Sequence, residues 1–234
     1  MADGVAMTPE RNGAKSKQLS VGLIGLGYWG PNLLRVLAER EDVRVDWICD
    51  LRQDRLDQFA HRYPGVTATT RADDLFEAPA LDGILIATPV FTHFDLASSS
   101  LHAGKHTFVE KPLASSSEEA CELIDRAESA DLALMCGHTF IYSPPVRAVK
   151  SLLDRRELGE VYFVSSSRVN LGLHQPDVSV LWDLGPHDFS ILRYWLEEAP
   201  ASISAVGRDS IVDGIPDVAF VNVELEKVRA IPGV

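Results

Sequence analysis

The sequence has 234 residues, of which 46% are hydrophobic, and its 34 acidic and 22 basic residues give a formal net charge of −12. This composition is typical of a globular chain with one large or two modest domains, and the negative charge disfavours nucleic acids and anionic membranes as partners. Residues 1–18 are polar and predict a disordered tail, and no run approaches the roughly 18 apolar residues of a membrane span. We therefore expect a cytoplasmic protein.

Three cysteines, Cys49, Cys121 and Cys136, lie far apart and include no CxxC pair. Their number and spacing indicate neither a disulfide framework nor a zinc site, so we interpret them as reduced core residues. The histidines match no zinc signature either, and we predict no metal site.

The first predicted elements are a strand over the apolar run 19–24, the glycine turn Gly25-Leu26-Gly27-Tyr28-Trp29-Gly30 and an amphipathic helix over 32–40. A GxGxxG turn between a strand and a helix is typical of dinucleotide-binding domains. The helix N-terminus offers free N–H groups and the positive end of its dipole to the phosphates. The alternative is a structural glycine turn in an unrelated α/β domain.

Each glycine of this turn has its own predicted role. Gly25 allows the turn, Gly27 lets the backbone approach a pyrophosphate, and Gly30 lets the helix lie close to the strand. The next apolar run ends at Asp50, about 20 residues beyond the turn, where a carboxylate accepts hydrogen bonds from the ribose hydroxyls of NAD. We predict NAD in preference to NADP, because this carboxylate repels a 2′-phosphate. Arg52 is the residue that could reverse the preference.

The patterns up to residue 138 alternate between strand and helix. The predicted strands after the glycine turn cover 43–49, 66–68, 82–87, 106–109 and 132–136. The predicted helices cover 54–63, 72–76, 92–103 and 116–130, the last opened by a capping box of Ser115 and Glu118. This alternation predicts an α/β fold with a doubly wound parallel sheet, in a dinucleotide-binding domain of residues 19–138.

Beyond residue 138, strands follow one another with fewer helices between them. The predicted helices cover 143–156 and 183–197, and the predicted strands cover 161–170, 202–207 and 218–226, with a loop containing Gly172 and Pro176. We expect a second α+β domain over residues 139–234 with a mixed or antiparallel sheet, serving substrate binding and oligomerisation.

Further motifs accompany the glycine turn along the chain. They are Ala87-Thr88-Pro89, His93, Glu110-Lys111-Pro112, Gly137-His138 and Asp183-Leu184-Gly185-Pro186-His187-Asp188. With these residues the chain resembles the glucose-fructose oxidoreductase and inositol dehydrogenase family over about residues 19–226. The resemblance implies an NAD(P)-dependent oxidoreductase that moves a hydride between nicotinamide and a hydroxyl or ketone of a small sugar substrate.

Three stretches narrow the resemblance to members that act on nucleotide-linked sugars, particularly uronic acid derivatives, in surface polysaccharide synthesis. They are Tyr28-Trp29-Gly30-Pro31-Asn32, Gly137-His138-Thr139-Phe140 and Arg168-Val169-Asn170-Leu171-Gly172. In the family the second domain continues beyond the strand that ends near residue 226. We therefore expect an incomplete second domain with an open sheet edge, which favours homo-oligomers or other association. The alternative function is a truncated member that binds dinucleotide but is catalytically inactive.

The resemblance also implies site residues. Lys111 would contact the nicotinamide ribose and the reacting hydroxyl, Asp183 would orient the substrate or the base, and His187 would exchange the proton. The predicted cofactor-binding residues are Gly25, Gly27, Tyr28, Trp29, Gly30, Asp50, Arg52, Thr88, Pro89, His93, Glu110 and Lys111. Independently of the resemblance, Pro186 is favoured in a first helical turn, so His187 would lie near a helix N-terminus whose dipole keeps the imidazole neutral.

These residues also have purely structural interpretations. Lys111 could be a solvated turn lysine, Asp183 an N-cap and His187 a hydrogen-bonded packing residue. We expect His93 to shape the cofactor pocket without reacting.

Four further side chains could contact substrate or could only pack. His138 and Tyr142 are equally compatible with both roles. Trp182 and Trp195 are favoured as core residues over a sugar-stacking platform, although Trp182 beside Asp183 could face the nicotinamide.

Overall fold

The computed structural model describes residues 18–169 and 178–225. Six parallel strands form one sheet in the order β3-β2-β1-β4-β5-β6. The strands are β1 Leu19–Ile24, β2 Val43–Cys49, β3 Thr67–Thr69, β4 Gly83–Ile86, β5 His106–Val109 and β6 Leu134–Cys136. The order reverses between β1 and β4, so the predicted doubly wound parallel sheet is confirmed. Ligands of such sheets bind at this reversal, beyond the carboxyl ends of the strands.

Helices cover both faces of the sheet. They are α1 Gly30–Ala38, α2 Gln53–Arg62, α3 Asp73–Phe76, α4 His93–His102 and α5 Ser117–Ser129. Side chains alternate between the faces of a strand, so Leu23 joins the buried cluster with α1 and α2, whereas Ile24 joins the cluster with α4 and α5. Both side chains are almost completely buried. These two apolar layers fix the sheet and hence the position of the loops at its carboxyl edge.

The start of α5 differs by one residue from the prediction. Ser116 is the N-cap, and its hydroxyl accepts a hydrogen bond from the Glu119 amide at 3.1 Å. The Glu119 carboxylate in turn accepts one from the Ser115 amide at 2.9 Å. The predicted pair of Ser115 and Glu118 is therefore wrong by one position, because either serine offers the same local signal.

In residues 139–169 and 178–225, the described part of the chain after the large sheet, there are three helices and an antiparallel strand pair. They are α6 Pro144–Asp154, α7 Val180–Asp183, α8 Gly185–Leu196, β7 Pro200–Arg208 and β8 Val218–Leu225, with a 3₁₀ turn at Thr139–Tyr142. Trp195 donates a hydrogen bond from its indole nitrogen to the Val146 carbonyl at 2.9 Å, which joins α8 to α6. Trp195 is thus part of the packing between helices.

The helix predicted over about 183–197 is confirmed as α8, which begins two residues later than predicted. The short helix α7 precedes it, and Leu184 between them is the N-cap of α8. One prediction for this region is wrong. No strand forms over 161–169: this segment has no ladder partner in the described part of the chain, where β7 and β8 form a sheet of two strands. The predicted loop with Gly172 and Pro176 lies outside the described residues.

The cysteine prediction holds in part. Cys49 is buried and Cys136 half-buried, and both are free thiols, but Cys121 is exposed because it lies on the outer face of α5. Across residues 18–169 and 178–225, no helix is long and apolar enough to cross a membrane.

Candidate active site

In the glycine turn after β1, the two outer glycines, Gly25 and Gly30, lie where no other residue would fit. Gly25 has φ +97°, and a Cβ atom there would lie 2.4 Å from the Ala87 carbonyl oxygen. A Cβ atom at Gly30 would lie 1.9 Å from the Gly25 carbonyl oxygen. At Gly27, by contrast, a Cβ atom would meet no atom of the described structure within 4 Å. The turn therefore offers an open backbone surface at Gly27, in front of the N-terminus of α1, and this fits a pyrophosphate.

Asp50 follows β2 and is tied to the glycine turn. Its carboxylate accepts hydrogen bonds from the Leu26 amide at 2.8 Å and from the amide and side chain of Arg52 at 3.0 and 3.1 Å. Burial raises the pKa of Asp50, but the hydrogen bonds from Arg52 and Leu26 outweigh it and hold that pKa below its usual value. A negative charge therefore stands beside the turn, whereas most of the Arg52 side chain is exposed.

The sequence interpretation missed Arg55, in the first turn of α2. Its guanidinium donates to the Leu26 carbonyl at 2.6 and 2.9 Å and to the Gly27 carbonyl at 3.1 Å. Asp50 thus binds an amide group of the glycine turn, and Arg55 binds carbonyl groups of the same turn. No sequence signal distinguishes Arg55, because it binds main-chain carbonyl groups, and every residue has such a group.

Large apolar side chains are exposed around the same sheet edge. Tyr28, Leu51 and Phe91, which follow β1, β2 and β4, are 81%, 88% and 68% exposed. Trp29 is 41% exposed, with its ring 6.4 Å from that of Tyr28. Such surfaces suit the planar rings of a dinucleotide. Of these residues, Leu51 and Phe91 had no place in the sequence prediction.

His93 joins two loops at this edge. Its ring nitrogens lie 2.8 Å from the Pro112 carbonyl oxygen and 2.9 Å from the Thr88 carbonyl oxygen, and the side chain is 1% exposed. Thr88 and Pro89 continue β4 into this loop, where the Thr92 hydroxyl donates to the Pro89 carbonyl at 2.7 Å. His93 thus connects the two loops and is almost completely buried.

Glu110 is a buried carboxyl at the end of β5. Its Oε2 accepts a long hydrogen bond from the Lys111 amide at 3.3 Å, while Oε1 is buried with no partner among the described residues. Burial raises the pKa of Glu110 above its usual value. A Cβ atom at Gly137 would lie 2.8 Å from Oε2, so glycine is needed there for the carboxyl to fit.

Lys111 and Asp183 are brought together from distant parts of the chain. The Lys111 ammonium donates to the Asp183 carboxylate at 2.8 Å and to the Asp183 carbonyl at 2.7 Å. Their side chains are only 21% and 24% exposed. Lys111 is therefore not a solvated turn lysine. Asp183 ends α7 and does not cap α8, so the N-cap interpretation is wrong.

His187 lies in the first turn of α8, one residue after Pro186, as the sequence predicts. Burial, together with the nearby charges of Lys111 and Arg168, lowers its pKa to about 4, against opposing effects of Asp188 and Asp183. The imidazole is therefore neutral near pH 7. Its Nδ1 is buried and has no hydrogen-bond partner in the described part of the chain.

Three residues beside His187 were not assigned a role from the sequence. The Phe140 ring meets the His187 ring at 4.7 Å between centroids and 70° between planes. Arg168 places its guanidinium carbon 4.8 Å from the Phe140 centroid and donates to Asp188 at 2.6 Å. All three residues lie in short sequence motifs, and Asp188 directly follows His187, but these motifs do not show that the side chains meet.

The remaining candidates surround this cluster. His138 Nδ1 is buried without a partner among the residues described, and burial lowers the pKa of His138. Trp182 is 41% exposed and donates a hydrogen bond to the Ala114 carbonyl at 3.3 Å. Tyr142 is half-exposed, with Arg147 over its ring at 5.4 Å.

The doubly wound parallel sheet and the open glycine turn after β1 define a dinucleotide-binding class of fold. Residues 19–138 match the NAD-binding Rossmann-fold model of the Gfo/Idh/MocA oxidoreductase family, and residues 146–231 match the C-terminal domain model of the same family. The chain belongs to this family. NAD, the predicted cofactor, is that of the matched domain.

Individual relatives agree with the family match. The chain is 28% identical over 202 residues to inositol 2-dehydrogenase of Rhizobium meliloti, covering 84% of this chain and 60% of that protein. It is 30% identical over 198 residues to the uncharacterized oxidoreductase YdgJ of Escherichia coli, covering 74% and 52%. A crystal structure of GenD2 from gentamicin A biosynthesis in complex with NAD is 26% identical, with a TM-score of 0.81, covering 94% of this chain and 66% of that one. The chain thus spans about 60% of the length of the curated relatives it matches.

Proposed function

We propose that this protein transfers a hydride between NAD and a hydroxyl-bearing carbon of a polyol or sugar, with Lys111, Asp183 and His187 handling the substrate hydroxyl. The observation that carries the proposal is the contact of Lys111 with Asp183 beside a neutral His187. A cation, a carboxylate and a neutral base together are what alcohol oxidation needs at the reacting oxygen.

The chemistry of the three residues follows from their environment. Bound NAD supplies the hydride acceptor. The half-buried Lys111 ammonium would stabilise negative charge developing on the substrate oxygen. His187 would take the hydroxyl proton through Nε2. Asp183 holds the ammonium and would keep it aimed at that oxygen.

The dinucleotide would lie across the glycine turn. Gly27 and the N-terminus of α1 would face the pyrophosphate, and Asp50 would accept hydrogen bonds from the ribose hydroxyls. Tyr28, Trp29 and the half-buried Glu110 would border the cofactor between this turn and Lys111. These residues are the proposed cofactor contacts.

The substrate class is proposed as a cyclic polyol or sugar. The inositol 2-dehydrogenase relative supports this class through its own name. Within it, the narrower candidate is a nucleotide-linked sugar or its uronic acid, used in polysaccharide synthesis. Its support is the resemblance of the short motifs around Tyr28, His138 and Arg168.

The test measures binding and turnover separately. NAD binding is followed by thermal shift and titration, and turnover by NADH formation with inositols, free sugars and nucleotide-linked uronic acids. We expect NAD binding and turnover of at least one substrate class, with turnover lost in Lys111→Met. Binding of NAD without turnover of any class would contradict the oxidoreductase proposal and favour a dinucleotide-binding role.

A further inference from the structure

Four side chains from three separate segments form a continuous stack next to the proposed proton-exchanging residue. Arg168 from segment 161–169 makes a two-pronged ion pair with Asp188 of α8, at 2.6 and 3.3 Å. Its guanidinium covers the ring of Phe140 at 4.8 Å. The ring of Phe140 in turn meets the imidazole of His187 edge-on at 4.7 Å. The sequence of contacts is thus carboxylate, guanidinium, phenyl and imidazole.

We propose that the Arg168–Asp188 ion pair positions His187 for proton exchange by clamping Phe140 against the imidazole. This inference rests on the proposed function, in which His187 exchanges the proton. Arg168 and Asp188 are positioning residues, because they act on His187 through Phe140 and through their charges.

The geometry restricts both ends of the stack. Asp188 receives two guanidinium nitrogens and also accepts a hydrogen bond from the Ser166 hydroxyl at 2.6 Å. A planar guanidinium held in this way cannot rotate off the phenyl face without breaking the pair. Arg168 and Asp188 are 27% and 21% exposed, so water screens the pair only in part. Phe140 is therefore held on one side by a fixed cation.

The imidazole has few other restraints. Its Nδ1 has no hydrogen-bond partner within the described ranges, so no acceptor fixes the ring orientation from that side. Among the residues that the structure describes, Phe140 is the one aromatic side chain whose ring contacts that of His187. In many enzymes a carboxylate hydrogen-bonded to the second nitrogen orients a catalytic histidine. Here the aromatic contact takes that place.

The clamp also contributes to the charge environment of His187. The charged groups around the imidazole are Lys111 before α5, Arg168, Asp183 of α7 and Asp188 of α8, with His138 and Tyr142 as titratable neighbours beside Phe140. Lys111 and Arg168 favour the neutral imidazole, whereas Asp183 and Asp188 favour the cation. Removing Arg168 takes away one cation and unpairs Asp188, and both changes raise the pKa of His187.

The test compares Arg168→Met, Arg168→Lys and the control Arg147→Met. Arg147 covers an aromatic ring nearby, that of Tyr142 at 5.4 Å, but is exposed and has no part in the proposed chemistry. The readouts are the pKa of His187 by NMR of isotopically labelled histidine, kcat and KM, and NAD affinity. Circular dichroism of each variant checks its fold.

We expect the pKa of His187 to rise above its wild-type value of about 4 in Arg168→Met but to remain below 6.5, because burial and Lys111 still lower it; the pKa should stay near the wild-type value in Arg168→Lys and Arg147→Met. Both Arg168 variants should lower kcat about 10- to 100-fold, since lysine keeps the charge but not the planar contact, while KM and NAD affinity change little. Arg147→Met should keep wild-type kcat.

The two proposals fail in different ways. If His187 titrates identically in Arg168→Met and Arg147→Met while the wild type turns over substrate, the clamp is overturned and the proposed function stands. If Arg168→Met shifts the His187 titration but the wild type turns over no substrate, the contact and charge coupling are supported and the proposed function is overturned. If Arg168→Met does not fold, the two single variants Arg168→Lys and Phe140→Leu test the clamp instead. An unchanged kcat in both variants would overturn it.

Discussion

The Lys111 ammonium is held by both the carboxylate and the main-chain carbonyl of Asp183, which lies 72 positions further along the chain. Lys111 follows β5 of the large sheet, and Asp183 ends α7 in the second part of the chain. One ion pair therefore joins the dinucleotide-binding sheet to the helices that carry His187. This contact defines where cofactor and substrate would meet.

Removing this ammonium should abolish turnover without unfolding the protein. We expect Lys111→Met to lower kcat by about 10²–10⁴-fold, the range typical of lost acid–base and charge stabilisation. Steady-state kinetics with NAD titration checks this, and NAD affinity should change far less than kcat. Lys150→Met is the matched control, because Lys150 pairs with Asp154 and Glu197 at 2.6 and 2.8 Å away from the site. A Lys111→Met enzyme that keeps most of its kcat would contradict the assigned role.

His187 should give the protein a characteristic dependence on acid. Its pKa is about 4 in the folded protein and 6.5 ordinarily, so the unfolded chain takes up its proton first as pH falls. The contribution of neutral His187 to stability is therefore present above about pH 6.5 and is lost as pH falls toward about 4. Denaturant unfolding should show a steeper loss over this window for the wild type than for His187→Gln. The exposed His102→Gln variant should follow the wild type.

The same histidine should set the acid limb of the activity profile. Because it remains neutral down to about pH 4, kcat/KM for alcohol oxidation should not decline near pH 6.5. The profile is measured over the range in which circular dichroism shows a folded protein. A limb near 6.5 would show that substrate or solvent access restores the ordinary pKa.

Two glycines of the same turn should respond differently to alanine. Gly30→Ala places a methyl group 1.9 Å from the Gly25 carbonyl oxygen, so we expect it to cost about 1–3 kcal/mol of stability or more. Gly27→Ala meets no atom within 4 Å of the described structure, so its thermal midpoint should match the wild type. Its NAD affinity should nevertheless fall about tenfold, equal to about 1.4 kcal/mol. Unchanged NAD affinity in Gly27→Ala would place the pyrophosphate elsewhere.

Asp50 should select NAD over NADP. Its low pKa keeps a negative charge where a 2′-phosphate would lie, and we expect NAD to bind about tenfold more tightly or better, about 1.4 kcal/mol. Asp50→Asn keeps an acceptor for the Leu26 amide but removes the negative charge, so the difference between the affinities for NAD and NADP should become smaller. Titration of both cofactors measures this. Equal or tighter NADP binding by the wild type, lost in Arg52→Ala, would show that Arg52 overrides Asp50.

The sequence by itself determined the large sheet and the glycine turn. The strand and helix patterns located all six parallel strands to within about two residues, most clearly for β1 and β4, whose burial on both faces gives a continuous apolar run. Gly25 and Gly30 were identifiable for a similar reason: the backbone path from β1 to α1 leaves no room for a side chain. Pro186 likewise predicted the first turn of α8, since proline is favoured in the first turn of a helix and disfavoured further inside it.

The tertiary structure alone decided which side chains meet. The pairings of the site join residues that are far apart in the chain or involve main-chain atoms. They are Lys111 with Asp183, Arg55 with the Leu26 carbonyl, and Arg168 with Asp188. A long cationic side chain can reach many acceptors, so no local pattern selects one. The missing strand over 161–169 has a similar reason: its residues favour extended structure, but a strand also needs a ladder partner, and the local sequence does not tell whether one is brought alongside. The local sequence determines where helices, strands and turns form, and the tertiary packing determines which side chains pair with each other.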